Sequence, residues 1–303
     1  VAQLEARARA RGVTLAAAET EESVYRTLGL PWIPPELREG TGEVEAAAAG
    51  ALPHLVAADD LKGFLHCHSD YSDGSTTIAE WAQACRAAGY AWMGITDHGE
   101  ASPYAGGLRA ADIERQHAEI DAVNRGGGDF QVLKGVEADI LADGSLDYGP
   151  AVLDRFDFVI ASVHTRFAMN EAAMTERVLR ALDDPHTTIL GHPTGRLLLS
   201  RDPYAIDLDR VFERAATRGV AIEVNADPHR LDLDWRLVRR ARDAGVAISL
   251  GADAQSVAGM SHVGLGLGVA RKGWLTADDL LNTRDAQGFL AHARRHRAGH
   301  AYA

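Results

Sequence analysis

From residue 61 onward, short apolar runs alternate with longer amphipathic segments. The apolar runs have the length and β-branched character of buried strands, and the amphipathic segments have the spacing of helices. The predicted strands are residues 63–66, 91–96, 131–136, 156–162, 187–191, 220–224 and 246–251. The predicted helices between them are residues 78–88, 110–123, 174–182, 207–217 and 233–244.

Strands that are separated by helices predict parallel pairing with right-handed crossovers. About seven such units favour a closed or distorted β/α barrel over an open sheet. Residues 1–28 are predicted to be helical, a turn cluster with Pro31, Pro34, Pro35 and Gly40 predicts a linker, and residues 43–52 predict a short helix. We therefore expect an α/β protein with a distorted (β/α)7 barrel after a short helical segment and a linker.

Histidine and carboxylate side chains recur at the carboxyl ends of the predicted strands. His66 and His68 end the first strand, where side-chain alternation places both imidazoles on one face. Asp73 follows in the next loop. The side chains at later strand ends are Asp97 with His98, Glu137, His164, His192, Asn225 and Asp253. β/α barrels build their active sites at this end of the strands.

A single histidine at a strand end usually makes a structural hydrogen bond, but five histidines and three carboxylates at equivalent positions argue against coincidence. Imidazoles and carboxylates together suit Zn, Mn or Fe, and they differ from the ligands of a closed structural zinc site. Because one ion cannot use so many ligands, we expect two or three ions, with Glu137 as a bridge. Asp97 is expected to accept a hydrogen bond from a ligating histidine.

Neighbouring cations can bind phosphate oxygens, activate water and stabilise a leaving oxygen, so phosphate-ester hydrolysis is the predicted reaction. Amide or lactone hydrolysis, as in amidohydrolases with a similar barrel, is the alternative. No lysine stands at a strand end where it could form a carbamylated bridge, since Lys134 precedes Glu137 by three residues. This observation weakens the amidohydrolase interpretation.

Four basic residues are candidates for substrate binding. Arg196 follows a predicted ligand in the sequence His-Pro-Thr-Gly-Arg and could bind a phosphate through two hydrogen bonds. A salt bridge that stabilises its loop is the equal alternative. Arg166, Arg230 and Lys272 are candidates for the rim of the site.

The net charge of -12 argues against a broad phosphate-binding surface, although a locally basic rim or bound cations could still admit a phosphate. Cys67 and Cys85 are the two cysteines, which predicts no disulfide framework and favours a reducing cytoplasm. No apolar run reaches the roughly 18 residues of a membrane span, so no membrane partner is expected. The chain begins with Val, which is typical of a fragment or a processed product.

The predicted ligands resemble, in their order, the motifs of the polymerase and histidinol phosphatase (PHP) domain over about residues 60–283. The matching motifs are His66-Cys67-His68, Asp73-Gly74, Thr96-Asp97-His98, Glu137, His164, Gly191-His192-Pro193 and Asp253. The resemblance implies a distorted seven-stranded barrel with a trinuclear site for Mn²⁺ or Zn²⁺. It also implies catalytic roles for Glu137, His164 and Asp253.

Residues 28–39, 189–196 and 271–274 resemble bacterial X-family DNA polymerases, in which a PHP domain follows the polymerase. The resemblance implies that residues 1–30 are the end of a polymerase thumb, residues 31–60 a linker and residues 61–303 the phosphoesterase. It implies a 3′–5′ exonuclease that acts on the 3′ ends of gapped or single-stranded DNA. It also implies that the polymerase part is a partner of this domain. The polymerase carboxylates are absent from this sequence, so polymerisation is not expected.

The resemblance also assigns ligands to ions. His66, His68, Glu137 and Asp253 would hold one ion, Glu137, His164 and His192 a second, and Asp73 and His98 a third. The family motif Asp-Ala-His is replaced here by Asp253-Ala254-Gln255. Because an amide oxygen is a poor substitute for imidazole on a transition metal, the third site is predicted to be weak, altered in metal preference or empty.

Two other functions remain open. The barrel could be a small-molecule phosphatase of the histidinol-phosphate type, or a catalytically weakened module with a structural or regulatory role. Gln255 favours the second of these, whereas the eight retained ligands oppose it.

Overall fold

A computed structural model describes residues 2–14, 20–126 and 128–300, and its seven parallel strands form a closed barrel in the order β1 to β7. Each strand pairs with the next, and β7 pairs with β1. The strands are β1 (Gly63–Cys67), β2 (Trp92–Ile95), β3 (Gln131–Asp139), β4 (Phe158–Ser162), β5 (Thr187–Leu190), β6 (Ala221–Asn225) and β7 (Ile248–Ala254). The predicted barrel is confirmed, and all seven predicted strands are present.

The helices in the described residues are α1 (Ala2–Ala10), α2 (Glu21–Thr27), α3 (Glu43–Ala48), α4 (Ile78–Ala87), α5 (Ala110–Gly126), α6 (Pro150–Leu153), α7 (Glu171–Asp183), α8 (Leu208–Arg218), α9 (Trp235–Asp243), α10 (Val263–Lys272) and α11 (Ala286–His300). The five predicted amphipathic segments between the strands correspond to α4, α5, α7, α8 and α9 to within a few residues, whereas α6, α10 and α11 lie outside the predicted segments. The predicted helical stretch 1–28 contains α1 and α2, and α1 is followed by Gly12 in the left-handed region at φ 63°. Val1 and residues 15–19 of that stretch lie outside the described residues.

The carboxyl-terminal helix α11 closes the amino end of the barrel. Phe289 is fully buried, and its ring centroid lies 4.7 Å from that of Trp92 and 5.1 Å from that of Phe158. Trp92 and Phe158 are the first residues of β2 and β4, so these contacts lie at the amino end. The indole N–H of Trp92 also donates to the carbonyl of Arg284, 2.9 Å away. The carboxyl ends of the strands therefore carry the open face of the barrel.

The residues before the barrel pack against α10. Ile33, Leu37 and Leu55 form a buried apolar cluster with residues of α2 and with Trp274, which follows α10. Arg271 fixes this arrangement, because its Nε lies 2.7 Å from Glu36 Oε1 and its Nη1 donates to a backbone carbonyl. The predicted linker 31–60 thus includes α3 and buried side chains, while the predicted domain limits stay a prediction.

No helix within the described ranges combines the length and the apolar character that a membrane crossing would need.

Replacement of Phe289 by Ala should destabilise the barrel without touching its open face. We expect the free energy of unfolding to fall by about 3–5 kcal/mol, because the change removes a fully buried aromatic ring and leaves a cavity. Urea denaturation followed by circular dichroism measures the loss. Leu265→Ala, at a residue of α10 that is 48% exposed, is the control and should change stability little. An equal effect of the two substitutions would contradict the role of α11.

Candidate metal centre

The carboxylate of Glu137, at 1% exposure, lies among five imidazoles at the open face. Glu137 belongs to β3 and His66 to β1, and the other four histidines follow β1, β2, β4 and β5, so five of the seven strands supply this one cluster. The distances to Glu137 Oε1 are 3.0 Å from His192 Nε2 and 3.3 Å from both His66 Nε2 and His164 Nε2. The distances to Glu137 Oε2 are 3.1 Å from His98 Nδ1 and 3.8 Å from His68 Nε2.

Three groups of side chains bring one ligand atom each to within 4.8 Å of the others. The groups are His66, His68 and Asp253; His68, His98 and Glu137; and Glu137, His164 and His192. The last is the predicted second set, and the first is the predicted first set without Glu137. Asp73 lies 3.6 Å from both His98 Nε2 and His68 Nδ1, so it borders the middle group. All eight predicted ligands therefore lie together, and their coordination of metal stays a prediction.

Several polar side-chain atoms of this cluster are buried and make no well-aligned hydrogen bond within the described structure. They include five ring nitrogens and one carboxylate oxygen: Nε2 of His66, both ring nitrogens of His68, Nδ1 of His98, Nδ1 of His192 and Oε2 of Glu137. A buried polar atom without a partner costs about 1–3 kcal/mol. Divalent cations would satisfy these atoms, and a mixed set of imidazoles and carboxylates fits transition metals. The residues present therefore fit the metals that the sequence predicts.

Opposite charges balance one another inside the cluster. Burial alone would lower the pKa of His66, but the carboxylates of Glu223, Glu137 and Asp253 raise it well above its ordinary value. Burial would raise the pKa of Glu137, yet the surrounding imidazoles, His164 and His66 foremost, hold it well below its usual range. A metal ion binds the neutral imidazole, so cation binding at His66 must compete with protonation of its ring.

The backbone is strained at three predicted ligands. His66, His192 and Asp253 have φ values of 58°, 23° and 49°, a region that residues other than glycine seldom adopt. His66 also lies where the register between β1 and β7 shifts, between Leu65 and Cys67. Such strain costs of the order of 1–3 kcal/mol per residue and persists where the surroundings enforce it. The register shift falls at His66 and Asp253 on the two paired strands, and it accompanies the positive φ of both residues.

Two carboxylates that sequence reasoning did not assign orient the histidines. Glu223 Oε1 lies 2.5 Å from His66 Nδ1, and Glu223 Oε2 accepts from the backbone N–H of His192 at 2.7 Å. Asp139 Oδ1 lies 3.0 Å from His164 Nδ1. Carboxylates at this second nitrogen fix the ring orientation and favour ligation by the other nitrogen. The available signals were an acidic residue inside the apolar sixth strand, and an aspartate two residues after Glu137 on the same strand.

Glycine is required opposite Glu223. A Cβ on Gly251 would lie 1.8 Å from Glu223 Oε1 and 2.9 Å from the Cβ of His66. Because Gly251 of β7 has no side chain, the Glu223 carboxylate has space to contact His66.

The prediction that Asp97 orients a histidine is wrong. Its buried carboxylate accepts from the N–H and the hydroxyl of Ser69, at 2.7 and 2.6 Å, and from the hydroxyl of Ser72 at 2.5 Å. The side chain of Gln116 donates at 2.6 Å. Asp97 therefore fixes the loop that leads to Asp73, and it acts on the site through that loop.

A cavity of about 570 Å³ opens above the cluster. Arg230, one of the four predicted substrate-binding residues, lines it, and its Nε lies 3.0 Å from Asp253 Oδ2. Burial and the charge of Arg230 lower the pKa of His192 to about 4. Arg201, which sequence reasoning missed, also lines this cavity.

The other three predicted substrate-binding residues do not line this cavity. Arg196 donates to the carbonyls of Arg230 and Leu231 and pairs with Asp234 at 3.1 Å, which favours the loop-stabilising alternative. Lys272 ends α10 and pairs with Glu39 of the amino-terminal segment. Arg166 lies beside a separate small pocket, next to Met169. Their proposed contacts with substrate stay predictions.

Gln255 lines the cavity at the position where the family motif has histidine. Its side-chain Nε2 lies 3.4 Å from Asp253 Oδ1, and its backbone carbonyl accepts from the N–H of Ser75 at 2.8 Å. The amide is therefore at the edge of the cluster, beside the group that contains Asp253.

Two family models match the chain. The PHP domain model matches residues 65–227, and the DNA polymerase beta thumb model matches residues 3–39. The chain is 42% identical over 274 residues to the DNA polymerase/3′-5′ exonuclease PolX of Bacillus subtilis (strain 168), across 89% of this chain and 48% of that protein. It thus spans about half the length of that relative.

A second relative, from Thermoanaerobacter sp. (strain X514), is named a probable phosphatase. It is 28% identical over 230 residues, which cover 72% of this chain and 89% of that protein. Among solved structures, a candidate histidinol phosphatase of Listeria monocytogenes has a TM-score of 0.50 at 12% identity, over 66% of this chain and 97% of that one. Identity this low shows a shared fold alone.

Replacement of Glu223 by Gln should weaken metal binding while the barrel stays folded. We expect the affinity for Mn²⁺ to fall by about 10–100-fold, because the neutral amide no longer holds His66 through a charged hydrogen bond. Isothermal titration calorimetry on metal-stripped protein measures the change. Glu43→Gln is the matched control, since Glu43 is also a buried carboxylate but lies in α3. Equal affinities of the two variants would contradict the role of Glu223.

Proposed function

The chain belongs to the PHP domain family, and from that premise we propose that it is a metal-dependent phosphoesterase which removes nucleotides from the 3′ end of DNA. The observation that carries the proposal is the Glu137 cluster, in which eight candidate ligands and their two supporting carboxylates meet below one open cavity. The relative named as a 3′-5′ exonuclease supports DNA as the substrate. The second relative, named as a phosphatase, supports the same chemistry on a phosphate ester.

Mn²⁺ or Zn²⁺ would be held by the three groups around Glu137, where such ions neutralise phosphate oxygens and lower the pKa of water. Glu137 offers both of its oxygens to different groups, and Asp139 and Glu223 keep His164 and His66 oriented. Arg230 places a positive charge at the cavity beside Asp253, where it can bind a phosphate oxygen. Glu137, His164 and Asp253 are thus proposed to act at the reacting phosphate as ligands.

Single-stranded or gapped DNA is the proposed substrate, and the polymerase part of the relative is the proposed partner. The thumb match at residues 3–39 supports this assignment. These residues pack against α10 through Arg271 and Trp274, so a preceding polymerase would be linked to the barrel by an ordered segment. A bacterial cytoplasm is the proposed location, where Cys67 and Cys85 stay buried thiols.

The purified chain should release mononucleotides from 3′ ends in the presence of Mn²⁺. His66→Ala should lower this release by at least about a hundredfold, because the imidazole belongs to a group of three ligands. Labelled single-stranded and gapped DNA are resolved on denaturing gels, and p-nitrophenyl phosphate is offered in parallel. His54→Ala, at an exposed histidine that belongs neither to the three ligand groups nor to the cavity lining, is the control and should retain activity.

Hydrolysis of p-nitrophenyl phosphate without release of mononucleotides from DNA would contradict the exonuclease function and favour a small-molecule phosphatase. Inactivity on both substrates would favour a structural module.

The third metal site is proposed to be weak because Gln255 provides an amide in place of an imidazole. Gln255→His should raise the affinity for one further Mn²⁺ by about tenfold, since imidazole is the better ligand. Metal content after dialysis against limiting Mn²⁺, measured by mass spectrometry, reports the change. Ser256→His places the same ring one residue away and should not raise it. Unchanged metal content in Gln255→His would refute the proposal.

A further inference from the structure

One wall of the cavity carries positive charge and another carries an exposed aromatic ring. Arg201 and Arg230 follow β5 and β6, whereas Tyr104 lies in the loop between β2 and α5. Tyr104 is 70% exposed although it lines the cavity. An exposed aromatic ring in a cavity is suited to contact a ligand, because burying its apolar faces against that ligand is energetically favourable.

The position of Tyr104 is fixed by hydrogen bonds. The hydroxyl of the buried Ser102 donates to Asp139 Oδ2 at 2.5 Å, and the hydroxyls of Ser102 and Tyr104 are 3.2 Å apart. Since the Ser102 hydroxyl has one hydrogen, the Tyr104 hydroxyl must be the donor to Ser102. Asp139 in turn orients His164. The exposed ring is thus connected to His164 of the metal cluster through three successive hydrogen bonds.

The other aromatic side chain of the lining is already engaged. Arg201 lies over the face of Phe167, with its guanidinium carbon 3.8 Å from the ring centroid, and Phe167 also stacks against Tyr204 at 6.2 Å. Of the Tyr and Phe rings that line this cavity in the described structure, Tyr104 therefore offers the open face.

We propose that Tyr104 stacks on the base of the 3′-terminal nucleotide and thereby selects nucleotide esters over simple phosphate esters. This inference rests on the proposed nuclease function. Bases of any sequence stack on aromatic rings, which suits an enzyme that removes successive nucleotides. A cavity of about 570 Å³ is large enough for a nucleotide, and its cationic wall suits the charge of the neighbouring phosphates.

Two phosphodiesters with the same leaving group test the proposal. Thymidine 5′-(p-nitrophenyl phosphate) mimics the terminal nucleotide, and methyl p-nitrophenyl phosphate lacks the nucleoside. Both are hydrolysed with Mn²⁺, and the ratio of their kcat/KM values is compared between variants. We expect Tyr104→Ala to lower the ratio by about tenfold, through a higher KM for the thymidine ester, because base stacking is lost.

Tyr104→Phe keeps the ring and should restore most of the wild-type ratio, which a purely hydrogen-bonding role of Tyr104 would not allow. Leu265→Ala, at an exposed residue of α10 outside the cavity, is the matched control. A wild-type ratio in Tyr104→Ala, or an equal loss in Tyr104→Phe, would overturn the stacking role alone. Failure of the wild-type protein to hydrolyse either ester and to release mononucleotides from DNA would instead overturn the proposed function and the stacking role with it.

Discussion

The buried carboxylate of Glu137 needs positive charge around it, and this requirement governs the open face of the barrel. An isolated ionised carboxylate is costly to bury, and the imidazoles around Glu137, His164 and His66 foremost, hold its pKa well below its usual range. In this arrangement the backbone adopts positive φ at His66 and His192, and Gly251 leaves room for Glu223 beside His66. The strained backbone at His66 and His192 thus accompanies the arrangement of imidazoles around the carboxylate of Glu137.

The amino end of the barrel contains apolar side chains that stabilise the fold, whereas the carboxyl end carries the candidate metal centre. At the amino end, Phe289 fills the interior against Trp92 and Phe158, and the apolar core there is continuous. At the carboxyl end, the loops are held by polar contacts, such as those of Asp97 with Ser69 and Ser72. Loops at this end can vary without loss of the core, which is why this barrel type accommodates different substrates.

Net charge is a poor guide to what this cavity binds. The chain carries a formal charge of -12, yet Arg201 and Arg230 line the cavity, and part of the acidic excess lies in the carboxylates that the metal cluster requires. Bound cations would reverse the local sign of the potential. The overall acidity therefore argues against a broad DNA-binding surface but not against a short stretch of DNA at the cavity.

The sequence by itself determined the barrel and the residues at its open face. Strand periodicity and apolar run length place seven strands, and parallel topology brings the residues after each strand to one end, so His66 and Asp253 meet although they are far apart in the chain. Only the tertiary structure decided which side chains touch. Barrel closure, with the register shift between Leu65 and Cys67, accompanies the contact of Glu223 with His66. In the loop after β5, Arg196 donates to a backbone carbonyl, whereas Arg201 lines the cavity. These pairings depend on distances between strands and loops, which local sequence patterns do not encode.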